Sequence, residues 1–142
     1  MQPILTIDTD DAPVLGAFSA LPEAVRLRVL DACQVTAERA AGEMRRRLAR
    51  QLSGESTGET LGGIEARRAY DGNGWIVWAV NDRMPNLPLW LEKGTRPGKR
   101  LNHARVAARK FFYVSLELEV GGHRDRVIDA MRESAADVGL GE

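Results

Sequence analysis

Apolar and polar positions along the chain sort into blocks of different period. From residue 21 to 52, apolar residues recur at Val29/Leu30, Cys33, Ala37, Ala41, Met44, Leu48 and Leu52. That spacing draws one stripe along a helix. Pro22 suits a first helical position, and Glu23 favours the positive end of the helix dipole. Such a helix would run about 45 Å, long for a small domain, with Gly42 the place for a bend. Arg45, Arg46, Arg47 and Arg50 crowd its last turns. They read as a solvated helix end or, more sharply, as a phosphate contact.

Ser53 to Gly58 is a loop by composition. A hairpin follows: Ile64–Tyr70 and Trp75–Val80 are rich in strand formers, and Asp71-Gly72-Asn73-Gly74 supplies turn residues between them. On the first strand Ile64, Ala66 and Tyr70 share one face and Glu65 and Arg67 the other. On the second, both faces are apolar: Trp75, Val77 and Ala79 against Ile76, Trp78 and Val80. Both should therefore be covered, one by a helix and the other by a second helix or another subunit. The run Asn86 to Arg96 reads as a third strand, Leu89, Leu91 and Lys93 alternating with Trp90, Glu92 and Gly94. A carboxylate among apolar neighbours is costly unless paired, so Glu92 needs a fixed partner or an edge position.

From Arg96 to Arg105 the chain is basic and almost without large apolar residues. Beyond it, Phe112, Val114, Leu116, Leu118 and Val120 alternate as in a strand, while Phe112, Leu116, Val120, Val127, Met131 and Val138 fit one helical stripe. Gly121-Gly122 disfavours an unbroken helix by about 1 kcal/mol per glycine. Arg124 to Ala136 reads as helix.

The 142 residues, 44% of them hydrophobic, suit one domain, 1–142, with residues 1–20 an N-terminal arm and 96–106 a basic loop. Within the arm, Ile4-Leu5-Thr6-Ile7 can pair as a short strand. Charge balances at 20 Lys+Arg against 20 Asp+Glu, so nothing global argues for nucleic acid or membrane. The balance hides a gradient. Residues 1–25 hold Asp8, Asp10, Asp11 and Glu23 without a Lys or Arg, whereas 93–110 hold seven basic residues and no acid. Unlike surfaces of this kind suit head-to-tail stacking, or are merely two solvated ends. No apolar run reaches the length of a membrane span. The N-terminus lacks the basic-then-apolar pattern of a signal peptide, so the cytoplasm, or a particle assembled there, is expected.

Candidate chemistry is sparse. Asp8-Thr9-Asp10-Asp11 lacks the glycine and closing glutamate of a calcium loop. Cys33, the lone cysteine, lies in a helical stripe and reads as core. His103 and His123 have no ligand-spaced partner, and there is no phosphate loop, nucleophile elbow or H-E-x-x-H. No catalytic, cofactor or metal site is expected, and a small hydrolase finds no constellation to rest on.

Thr57-Gly58-x-x-Leu61-x-x-Ile64, the glycine-containing hairpin, Leu87-Pro88-Leu89-Trp90-Leu91-Glu92-x-Gly94-Thr95, Ala108-Arg109-Lys110-Phe111-Phe112 and a C-terminal helix follow in this order. In order and spacing they resemble the neck, or tail-completion, family of long-tailed phages, the gene-product-ten-like or minor-tail-protein-Z-like proteins, over roughly residues 20–138. Lys110 stands where that pattern usually has proline, Val114 where a second proline is common, and Gly63 replaces a frequent serine.

The resemblance implies an α+β unit: a long N-terminal helix, a small antiparallel sheet of three to four strands with a β-hairpin, and a C-terminal helix that takes in Phe111–Val120. It implies a non-enzymatic virion protein at the head–tail junction, made in the host cytoplasm, without cofactor or membrane. Its partners would be further copies in a homo-oligomeric ring, a hexamer by resemblance, with neighbouring neck or connector rings, tail-terminator or tail-tube proteins, and double-stranded DNA crossing the lumen. Such rings close through two unlike surfaces per subunit. Trp78, Trp90, Glu92, Gly94, Thr95, Arg96, Arg109, Phe111 and Phe112 would serve as interface or corner residues. Apart from the resemblance, the stretch 93–110 also suits a nucleic-acid-binding module, with Phe111, Phe112 and Tyr113 placed to stack bases.

Overall fold

The stripe between Val29 and Leu48 becomes the buried side of a single long helix, α1, Glu23–Gln51. The computed structural model describes residues 21–51, 56–94 and 108–137. The arm 1–20, the basic loop 96–106 and Thr95 lie outside these. The remaining elements are α2 (Ser56–Gly62), β1 (Ile64–Arg68), β2 (Trp75–Ala79), α3 (Leu87–Lys93) and α4 (Phe112–Asp137). The chain is α+β, with a long N-terminal helix, a hairpin and a long C-terminal helix.

Ala40, Ala41, Met44 and Leu48 of α1 meet Ile64 and Ala79 of the hairpin, Leu91 of α3, and Phe111 and Phe112 at the start of α4. Each large side chain buried here stabilises the fold by about 1.5–3 kcal/mol. α1 and α4 run antiparallel, because Arg28 pairs with Glu133 and Asp137 while Arg39 pairs with Glu119. Away from the hairpin Val29 and Ala32 of α1 pack against Ala130 of α4, with Val25, Cys33 and Val127 around them. The arginines at the end of α1 are partly paired: Arg46 and Arg47 both reach Glu43, and the Arg46 hydrogen bond is the main reason its carboxyl sits below the usual range.

Several expectations need correction. Among the described residues the sheet has two strands, where three to four were expected. The expected third strand is instead helix α3, which buries Pro88, Leu91 and Glu92 together and leaves Trp90 outside. Its buried positions follow a helical interval of three to four residues, not two. Pro88 sits at the first turn, where its missing N–H costs nothing. Helix α2 already begins at Ser56, inside the stretch read as loop. Strand pairing covers Ile64–Arg68 and Trp75–Ala79, short of Tyr70 and Val80.

Helix α4 runs unbroken through Gly121-Gly122. Its buried side differs from the expected stripe: Phe112, Ser115, Ala130 and Ser134 are buried, whereas Val120 and Met131 are 66% and 46% exposed. The two serines can be buried because both turn their hydroxyls to the helix's own carbonyls, Ser115 to Phe111 at 2.6 Å and Ser134 to Ala130 at 2.8 Å.

Candidate functional site

The two motifs that carry the resemblance meet at one corner. Gly94 ends α3 at φ 76° and ψ 172°, a conformation that only glycine adopts without strain. Its N–H donates to the Trp90 carbonyl at 2.7 Å, and the Arg109 N–H donates to the next carbonyl, Leu91, at 2.6 Å. Gly94 and Arg109 therefore both bond to the last turn of α3. Lys110 follows at φ 48°. A proline ring cannot adopt that angle, so at this departure from the resembled pattern the backbone requires a residue other than proline.

Glu92 closes the corner. It is 5% exposed, and its Oε2 accepts the Phe112 N–H at 2.8 Å while Oε1 accepts that of Tyr113 at 3.4 Å. The first N–H groups of a helix have no partner within it, and the dipole there favours an anion. A side chain 20 residues back thus caps α4. This is the fixed partner the sequence demanded for Glu92, supplied by backbone rather than by an arginine. Phe111 and Phe112 lie beneath it, fully buried and edge to face with ring centroids 6.3 Å apart. Buried rings cannot stack on bases, so the binding-module reading loses two of its three aromatics. Arg109 is half-buried, and Trp90 stands at the surface 38% exposed. Thr95 and Arg96 lie outside the described residues.

Trp78 is elsewhere, on the outer face of the hairpin, and its own strands partly cover it. Its Nε1 donates to Glu65 Oε1 at 3.0 Å, and the Arg67 guanidinium sits 4.4 Å over its ring, itself paired with Glu65. The face expected to need a helix or another subunit is thus shielded by two charged side chains at Trp78 and open at Ile76.

Two clusters were not legible in the sequence. Buried Asn81 donates to Thr60 Oγ1 at 2.9 Å and accepts the N–H groups of Arg83 and Met84 at 3.1 and 2.8 Å, tying α2 to the turn before α3. A lone asparagine in a linker gives no warning of this. Between α1 and α4, the Thr36 hydroxyl touches the Ala32 carbonyl, His123 Nδ1 and the Arg126 guanidinium, which also reaches Glu119. One hydroxyl has one proton. With it given to Ala32, His123 donates from Nδ1 and keeps Nε2 unprotonated.

Burial, and then the charge of Arg126, push the His123 value below its ordinary 6.5. The fold favours neutral imidazole, so the unfolded chain binds more protons in the window just below 6.5. Stability is full above that window and is lost as pH falls through the lowered value. Urea midpoints measured from pH 7.5 to 5 are expected to fall, and to fall less for His123→Gln; equal slopes would acquit His123.

Among the described residues, no group of three His, Cys, Asp or Glu side chains is placed to hold a metal ion, and no helix is long and apolar enough to cross a membrane. The Asp8–Asp11 run lies outside them. No protein-family model, curated protein or solved structure matches the chain.

Proposed function

We propose that the chain is a structural, non-enzymatic subunit of the neck of a long-tailed phage or prophage, forming a ring that completes the tail and joins it to the head. The observation that supports this reading is the corner itself. The Leu-Trp-Leu-Glu-x-Gly segment and the Ala-Arg-Lys-Phe-Phe segment, which carry the resemblance, are joined by the Glu92 cap and the Arg109–Leu91 bond. The groups that meet there are a carboxylate, backbone amides and two buried rings, an arrangement for holding a shape rather than for turnover. The basic stretch whose two ends this corner fixes would face a neighbouring ring, the tail, or DNA in the lumen.

A ring subunit needs two unlike surfaces. Trp90 beside the corner offers one, and Leu118 with Val120 on the outer side of α4 offers another. Light scattering at low and high salt, alone and with the neighbouring head and tail proteins, tests the proposal. A discrete ring is expected, either of the protein alone or with those partners, and Trp90→Ser should weaken it while leaving thermal stability within about 0.5 kcal/mol. A monomer indifferent to every partner, yet shifting on DNA at low salt, would replace this reading with the binding module.

A further inference from the structure

Hydrogen bonding within the hairpin fixes where each backbone group of β2 points. Ala69 N donates to the Gly74 carbonyl at 2.9 Å and Val80 N to the Gly63 carbonyl at 3.1 Å. Between these, Ile64 faces Ala79 and Arg68 faces Trp75. Bonded pairs alternate along an antiparallel ladder. Ile76 and Trp78 therefore turn their N–H and C=O groups toward β1, while Trp75, Val77 and Ala79 turn theirs away. Among the described residues, no backbone partner meets those outward groups.

That edge is one wall of a groove of about 540 Å³. Five consecutive residues, Gly74 to Trp78, line it, as they can only if the groove runs along the strand's side rather than over one face. Opposite stand Ala37 and Ala40 of α1 and Phe112 and Leu116 of α4. Unpaired strand backbone beside an apolar floor is the geometry by which an extended segment joins a sheet.

We propose that Ile4-Leu5-Thr6-Ile7 of the same chain occupies this groove as a third strand along β2. The composition fits, since three of the four residues are β-branched. Alternation would set Leu5 and Ile7 on the helices and leave Ile4 and Thr6 outward, beside Ile76, which is 36% exposed. The reach fits too. The groove begins at Cys33, ten residues into α1 from Glu23, a distance of about 15 Å. Residues 8–22, drawn out, span up to about 50 Å. A tether of that length holds the segment at an effective concentration in the mM range, so the chain's own copy outcompetes a neighbour's. Asp8, Asp10 and Asp11 then end the apolar run, since carboxylates do not enter an apolar groove unpaired. The proposal does not depend on the neck reading.

Residue-resolved amide hydrogen exchange on the intact chain tests it. The Trp75 and Val77 amides are expected to be protected like those of Ile76 and Trp78. The double substitution Leu5→Asp, Ile7→Asp should speed exchange at Trp75 and Val77 at least about tenfold and leave Ile76 and Trp78 unchanged. Wild-type Trp75 and Val77 amides that exchange as freely as exposed ones would overturn the proposal, as would protection that survives the substitutions. Protection that fades on dilution as the mass falls from dimer to monomer would assign the groove to a neighbour's segment and overturn the intrachain placement. If the substitutions also loosen Ile76 and Trp78, cross-strand Hα contacts between residues 4–7 and 75–77 in the wild type decide: their presence supports the third strand and their absence overturns it.

Discussion

Glu92→Ala is expected to destabilise the fold by about 2–4 kcal/mol. The substitution removes both acceptors at the start of α4 and leaves the Phe112 and Tyr113 N–H groups without partners. An unsatisfied buried donor costs about 1–3 kcal/mol, and loss of an N-cap about 1 kcal/mol. The Phe112 bond, at 2.8 Å, should carry most of the effect, because the Tyr113 contact at 3.4 Å is long for a hydrogen bond. The cavity left among Leu91, Phe111 and Phe112 adds to the cost. Glu92→Gln keeps an acceptor oxygen but not the charge that the helix end favours, and should cost about 1 kcal/mol. Denaturant midpoints measure both. A Glu92→Ala chain within about 0.5 kcal/mol of wild type would mean that the corner does not depend on its carboxylate.

Gly63→Ala should be at least as damaging, about 3 kcal/mol or more. A Cβ built on Gly63 falls 1.9 Å from the Val80 carbonyl oxygen and 2.9 Å from its carbon. Both are backbone atoms, and Val80 is tied to the same residue through its bond to the Gly63 carbonyl. Neither side can give way by rotating a side chain, so the end of the hairpin next to Asn81 must open. Gly74→Ala is the control, since a Cβ there meets nothing within 4 Å; its cost should stay below about 1 kcal/mol. Equal midpoints for the two variants would refute the close approach. The serine that the resembled pattern often has in place of Gly63 would meet the same obstruction here.

Long elements were legible because their signals repeat. The stripe on α1 gave several turns of agreement, and the hairpin had both strand formers and a glycine-rich turn. Short elements were not. Leu87–Lys93 is seven residues long, and over that length an alternating pattern and a helical one share most of their positions. Phe112 to Val120 was ambiguous for the same reason, and the stripe drawn through Val120 and Met131 failed because Ser115 and Ser134 are the buried positions instead. Serines satisfied by their own helix carry no apolar signal.

The candidate corner was half legible. A carboxylate between Leu91 and Gly94 announced that it needed a partner, because an unpaired buried charge is prohibitively costly. Which partner it has depends on a contact across 20 residues of sequence, and no local pattern encodes that. Gly94 was legible as a turn residue, whereas the close approach at Gly63 depends on where Val80 lies in space. Trp78 was read as waiting for a partner because strand β2 is apolar on both faces. Its actual cover comes from Glu65, directly across, and Arg67, two residues along the ladder, and charged side chains of that kind do not register in a count of apolar faces.

The most direct measurement is assembly itself. In a phage or prophage unable to make this chain, electron micrographs of the lysate should show filled heads and finished tails lying apart, and adding the purified protein should join them. Joined, infectious particles formed without the chain would contradict the neck reading and return the basic stretch 93–110 to the centre of any account of function.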